Sequence, residues 1–106
     1  MDVIKIHESN KKTLAPGCNV QFVHSQNMTL AYWSLEPQSE VPDHAHPHEQ
    51  VVNLITGELE LTVQEETRRL RPGDVVVIPP EVSHRASAVT FCRVIDVFYP
   101  VREDYR

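Results

Sequence analysis

Glu58-Leu59-Glu60-Leu61-Thr62-Val63 alternates polar and apolar residues, and this alternation decides the fold class. A period of two sets Leu59, Leu61 and Val63 on one face of an extended chain, which is the pattern of a half-buried strand. Glu65-Glu66 then supplies a polar hairpin tip, and Arg68 to Leu70 a returning strand. Arg71-Pro72-Gly73-Asp74 has the chemistry of a tight turn, with proline presetting φ at the first central position and glycine permitting positive φ at the second. Val75 to Ile78 reads as a buried strand, stopped by Pro79-Pro80.

The same signals extend outward in both directions. Upstream, Val20 to Val23 and Met28 to Leu35 read as strands around a Gln26-Asn27 turn, and Pro37 and Pro42 bracket a loop. Gln50 to Thr56 is a β-rich run closed by Gly57; downstream, Ser83 to Ala88 and Phe91 to Tyr99 complete the set. Val, Ile and Thr make up 26 of the 106 residues, against 5 Ala and 3 Lys, and no stretch keeps a helical period. The expectation is an all-β chain of about eight or nine short strands, closed into a barrel or sandwich because closure removes exposed edges. A length of 106 residues gives one domain, 1–106.

Charge and cysteine content narrow the function. Lys plus Arg is 10 and Asp plus Glu is 15, a net charge of −5. Nucleic acid and anionic membrane are therefore not expected as partners, since both need clustered positive charge. A small anion held by one or two cations is still compatible. Cys18 and Cys92 lie far apart without CxxC spacing, and the first residues lack the basic and apolar regions of a signal peptide. The expected setting is soluble, reduced and cytoplasmic.

Three of the six histidines fall in His44-Ala45-His46-Pro47-His48. On a strand, His44 and His46 would share a face, and Gln50 has the same parity and could add an amide oxygen. Pro47 breaks the parity argument for His48, which reads as an outlying or exposed residue. A fourth metal ligand must come from elsewhere, and His84, just after Pro79-Pro80, is the best candidate. His7 and His24 read as surface residues. Phe22, Tyr32 and Trp33 read as barrel core, and Arg68, Arg69 and Arg71 as a solvated hairpin face.

Near the C-terminus, period two places Cys92, Val94, Asp96 and Phe98 on one face and Arg93, Ile95 and Val97 on the other. A carboxylate inside so apolar a strand is costly unless something holds it. Either Asp96 pairs with Arg93 or Arg102 at the barrel mouth, or it points inward towards the histidines.

Two spaced motifs resemble those of the cupin family. His44-x-His46-x3-Gln50-x6-Gly57 is similar to the first cupin motif, with Gln in place of the usual acid. Gly73-x5-Pro79-x4-His84 is similar to the second. The resemblance implies a jelly-roll β-barrel holding one divalent transition metal (Ni, Zn, Mn, Fe, Co or Cu) through His44, His46, Gln50 and His84. With a neutral amide in place of a carboxylate, the ion would keep its full charge and attract an anionic substrate more strongly. The tail Asp96-x-Phe98-x-Pro100-x-Arg102-Glu103-Asp104 further resembles the pectin-degradation cupins that open 4,5-unsaturated uronates and ketonise them. That resemblance implies Asp96 as acid/base, Arg102 as clamp on the uronate carboxylate, and Phe98 as an apolar wall. It also implies a homodimer, with Val3 to Ile6 adding to a partner's sheet edge. Two other functions stay open at this point: a cupin oxygenase using O₂, and a non-catalytic module binding a sugar or effector.

Overall fold

A computed structural model describes residues 1–106. Ten strands form two antiparallel sheets: β1 (Lys12–Ala15), β2 (Cys18–His24), β3 (Thr29–Leu35), β4 (Glu40–His44), β5 (Glu49–Thr56), β6 (Leu59–Val63), β7 (Glu66–Leu70), β8 (Val75–Ile78), β9 (His84–Ala88) and β10 (Cys92–Tyr99). The larger sheet has the order β1-β2-β3-β10-β5-β8 and the smaller β4-β9-β6-β7. The only helical pieces are two 3₁₀ turns, Ile6–Glu8 and Glu103–Tyr105, so no helix is long and apolar enough to cross a membrane. This is the jelly roll expected from the sequence.

The core lies between the sheets and follows the period-two pattern. In β10, Cys92, Val94, Asp96 and Phe98 are buried, and Ala31, Trp33 and Leu35 of the neighbouring β3 lie beside them on the same inward face. Leu59 and Leu61 of β6 enter from the smaller sheet, with Val63 packed at the margin. β10 lies inside the larger sheet, hydrogen-bonded to β3 on one side and β5 on the other. The last strand of the chain thus becomes a central one, and Asp96 sits at the middle of the barrel wall.

Several details differ from the sequence reading. Where a loop is expected around Pro42, the chain forms β4. The strand survives because it is at a sheet edge, and its register with β9 shifts between Val41 and His44, where proline does no harm to a ladder. β1 is also absent from the sequence reading, since its four residues pair only with β2. The β6–β7 hairpin turns at Gln64-Glu65, so Glu66 already pairs with Val63. Val75 and Val77 are 58% and 60% exposed, because β8 is an edge strand with one bare face. Val3 to Ile6 form no strand within the chain.

Two glycines have conformational reasons. Gly73 has φ +95°, and the Asp74 N–H donates to Arg71 O at 2.9 Å, closing the turn expected there. Gly57 has φ +92°, and a Cβ at this position would lie 2.1 Å from the Phe91 carbonyl oxygen. The β5–β6 connection therefore passes directly over the start of β10.

Candidate metal centre and cavity

His44, the last residue of β4, stands directly opposite His84, the first of β9, with ring centroids 4.2 Å apart. His46 follows in the short connection that carries the chain from the smaller sheet into the larger. Its ring is 5.6 Å from that of His44 and 5.0 Å from that of His84. Gln50 enters on β5, paired with Phe98 of β10 and Ile78 of β8. The expectation that one strand carries His44, His46 and Gln50 is thus replaced. The three lie on β4, a bend at Pro47 and β5, and they converge because the chain changes sheets between them.

The ring nitrogens of His44, His46 and His84 lie within 4.8 Å of one another. Each ring is oriented through Nδ1 by a main-chain carbonyl: His44 by Pro42 O at 2.7 Å, His46 by His48 O at 3.1 Å, His84 by Val82 O at 2.9 Å. A carbonyl only accepts, so each Nδ1 carries the proton and each Nε2 presents a lone pair. His84 Nε2 is buried without a partner, and His46 Nε2 lies 3.0 Å from Gln50 Oε1. Lone pairs gathered in this way, with carbonyls behind the rings, are the chemistry of a divalent-cation ligand set. Burial, aided by the Arg102 charge, pushes His46 down to about 4. Burial also lowers His84, against the pull of Val82 O. Both rings are therefore neutral and ready to ligate at neutral pH. His48 is not one of the three; its carbonyl orients His46, while its own Nδ1 is buried without a partner.

Asp96 is 6% exposed and faces inward, as its strand parity indicates. The Trp33 indole N–H donates to Oδ2 at 3.0 Å, and Oδ1 has no hydrogen-bond partner. Burial pushes the carboxyl up from 3.8 to about 7; Gln50, Trp33 and the Arg102 charge pull it down without cancelling that rise. No ion pair with Arg93 or Arg102 forms. Trp33 is in the core as expected, but it is also the acid's only direct donor. That role becomes visible only once β3 is paired with β10.

Arg102 is 5% exposed, with its fork already engaged: Nε donates to Asp104 Oδ1 at 3.0 Å and Nη2 to Oδ2 at 2.7 Å. Its guanidinium carbon is 4.1 Å from the Tyr105 ring centroid and 4.9 Å from that of Phe98. Nη1 is buried without a partner. The Arg102 main-chain N–H donates to Thr29 Oγ1, which also contacts His24 Nδ1 at 2.8 Å. His24, expected at the surface, is half-buried and reaches Tyr105 O through Nε2 at 3.3 Å, tying down the C-terminal turn. His7 is exposed, and Arg68 and Arg69 pair with Glu66 and Glu60 on the solvated hairpin, as expected.

Several of these groups line a mainly apolar cavity of about 270 Å³ between the sheets. His44, His84, Gln50 and Asp96 give it one polar end, and Trp33, Phe98 and Tyr105 also line it. Arg102 lies behind Phe98 and Tyr105, outside the lining.

Residues 31–98 match the Cupin domain family. The chain belongs to the cupin family. Among solved structures, this cupin superposes on KdgF from Halomonas sp. with a TM-score of 0.93 and 28% identity, covering 100% of this chain and 99% of that one. An RmlC-like cupin from Shewanella frigidimarina gives a TM-score of 0.89 at 28% identity, covering 94% and 91% of the two chains. Among curated proteins, the uncharacterized protein SCO3923 of Streptomyces coelicolor is 28% identical over 85 residues, which is 79% of this chain and 81% of that one. Similarity to oxalate decarboxylase from Bacillus subtilis, at 17% identity and a TM-score of 0.83, is one of fold. The protein is a small cupin resembling KdgF, with three histidines forming a candidate metal site.

Proposed function

We propose that this cupin opens and ketonises 4,5-unsaturated uronates. The observation that carries the reading is Asp96: a buried carboxyl, held on one oxygen by Trp33 and free on the other, at the polar end of a cavity shared with His44, His84 and Gln50. Its support from outside the site is the full-length likeness to KdgF and the resemblance of the tail from Asp96 to Asp104 to the pectin-degradation cupins.

The reaction is a redox-neutral isomerisation. The anomeric hydroxyl loses its proton, the bond from C1 to the ring oxygen breaks with its electron pair on oxygen, and the resulting enolate at C5 becomes a ketone as C4 gains a proton. One proton leaves oxygen and one reaches carbon, so a single carboxyl can serve both transfers. Asp96, with a pKa of about 7, is populated in both forms near neutrality and suits that double duty. His44, His46, His84 and Gln50 would hold a divalent metal, which when bound supplies Lewis-acid polarisation of a substrate oxygen. Phe98 and Trp33 give the ring an apolar wall, and Arg102, once released from Asp104, would meet the substrate carboxylate.

The test is the ultraviolet absorbance of an unsaturated uronate, which should decay faster with the protein than without it and with no O₂ uptake. Asp96→Asn should lower the rate per folded, metal-loaded protein by roughly 10²–10⁴-fold. Arg102→Lys keeps the charge but loses the planar fork, and should also slow turnover. Normal turnover in Asp96→Asn would remove the catalytic assignment and favour a binding module.

A further inference from the structure

The uronate reading assigns Arg102 to the substrate carboxylate, yet the fork of Arg102 is not free. Asp104 occupies its Nε and Nη2 edge with two short hydrogen bonds, the geometry by which an arginine binds any carboxylate. Phe98 and Tyr105 stand between the guanidinium and the cavity, and Tyr105 belongs to the same 3₁₀ turn as Asp104.

The two partners are unequal. The Arg102 side chain is 6% exposed, whereas that of Asp104 is 57% exposed. Releasing Asp104 returns a half-hydrated carboxylate to water at modest cost. Leaving Arg102 without an anion would strand buried donors, of which Nη1 already lacks an acceptor. The turn that would have to move is only three residues long and begins one residue after Arg102. Apart from Arg102, it is held by Tyr105, which stacks on Phe22 at 4.4 Å and packs against the core, by the Tyr105 carbonyl on His24, and by Arg106 on Ser25 O.

Building on the uronate reading, we propose that Asp104 is an internal competitor for the ligand carboxylate: it fills the Arg102 fork in the free protein, and an anionic sugar binds by taking its place as the Glu103–Tyr105 turn lifts. Asp104 thereby sets the affinity threshold for carboxylates and excludes neutral sugars, which offer Arg102 nothing in exchange. A purely positioning role for Asp104 predicts the opposite sign, because losing it would disorder Arg102 and weaken binding.

Galacturonate, an unreactive carboxylated sugar, is the probe, with galactose as its neutral counterpart, titrated calorimetrically into metal-loaded protein. Asp104→Asn should bind galacturonate about two- to fivefold more tightly, the worth of a partly exposed charged pair, and galactose no better. In an Arg102→Met background the same substitution should change nothing. In the unmodified protein, saturation with galacturonate should move the Asp104 carboxyl-carbon resonance to the position of a solvated carboxylate, a readout that needs no variant to fold. Unchanged or weaker galacturonate binding in Asp104→Asn, tightening that persists without Arg102, or an unmoved Asp104 resonance would each overturn the proposal. So would absence of galacturonate binding in every form. Loss of the uronate reading itself would show separately, as failure to turn over an unsaturated uronate.

Discussion

Trp33 and Asp96 are diagonal neighbours across the β3–β10 pair: Trp33 stands opposite Val94, Asp96 opposite Ala31, and the indole N–H bridges the offset to Oδ2 at 3.0 Å. This single bond leaves Oδ1 as the oxygen free to exchange protons. It also stabilises the ionised carboxylate, against the larger effect of burial. Trp33→Phe removes a donor to the charged form, so the Asp96 pKa should rise further above 7. The rise of activity with pH that reports ionised Asp96 should move to higher pH, measurable as a displaced pH–rate profile. An undisplaced profile would show that Trp33 does not tune the acid.

The raised pKa of Asp96 also governs stability. A carboxyl whose folded pKa lies above its unfolded value favours the native state at low pH, and that contribution is lost as pH rises from about 4 through about 7. Asp96→Asn removes the burden of a buried charge. In metal-stripped protein the variant should match the parent near pH 4 and exceed it at pH 8 by up to about 4 kcal/mol. Urea unfolding at the two pH values measures the difference, and equal stabilities at pH 8 would contradict it.

Gln50→Glu tests the neutral amide beside the candidate metal site. The variant should keep its metal, because a carboxylate oxygen is at least as good a donor. It should capture an anionic substrate less well, because one unit of positive charge is cancelled beside a carboxyl that is already hard to ionise. Steady-state kinetics should show this as a raised KM for a uronate. Metal content serves as the control.

Much of the architecture could be read from the chain because a period of two is visible residue by residue. The inward face of β10, the β6–β7 hairpin and the turn at Pro72-Gly73 are local patterns, and each is present in the fold. What escaped were consequences of pairing over long distances. Pro42 gave no hint that its strand would lie at an edge beside β9, and Trp33 looked like filler until β10 was placed against β3. The same holds for Asp104, Tyr105 and His24: polar or aromatic residues near a terminus or a turn, brought together only by closure of the barrel. His44, His46, Gln50 and His84 were legible as a set although the strand geometry inferred for them was not the one observed, since spacing outlasts the details of the bend at Pro47.

Gly57→Ala bears on the fold rather than the site. A methyl group 2.1 Å from the Phe91 carbonyl oxygen, at a φ of +92°, cannot be accommodated without moving the β5–β6 connection. The variant should lose roughly 3 kcal/mol or more of stability, from overpacking and from the left-handed backbone together. Chemical denaturation measures the loss, and a drop below about 1 kcal/mol would mean that the connection yields easily.

The histidine cluster predicts about one divalent ion per chain, bound well enough to raise the melting temperature. Elemental analysis of protein purified without added metal should find it, and a strong chelator should lower Tm. His46→Ala with His84→Ala should abolish both the metal and the chelator effect. Stoichiometric metal in the double variant would place the site elsewhere.

The three imidazoles of the candidate metal site are each steered by a carbonyl only two residues away, at Pro42, His48 and Val82. Those acceptors belong to the main chain, so no substitution at the three positions can delete them. The surrounding cavity can therefore drift in evolution, or be redesigned in the laboratory, while the aim of the rings is inherited with the backbone. A change in the cavity lining need not disturb the arrangement of the three rings, and that separates what is free to vary from what is held fixed.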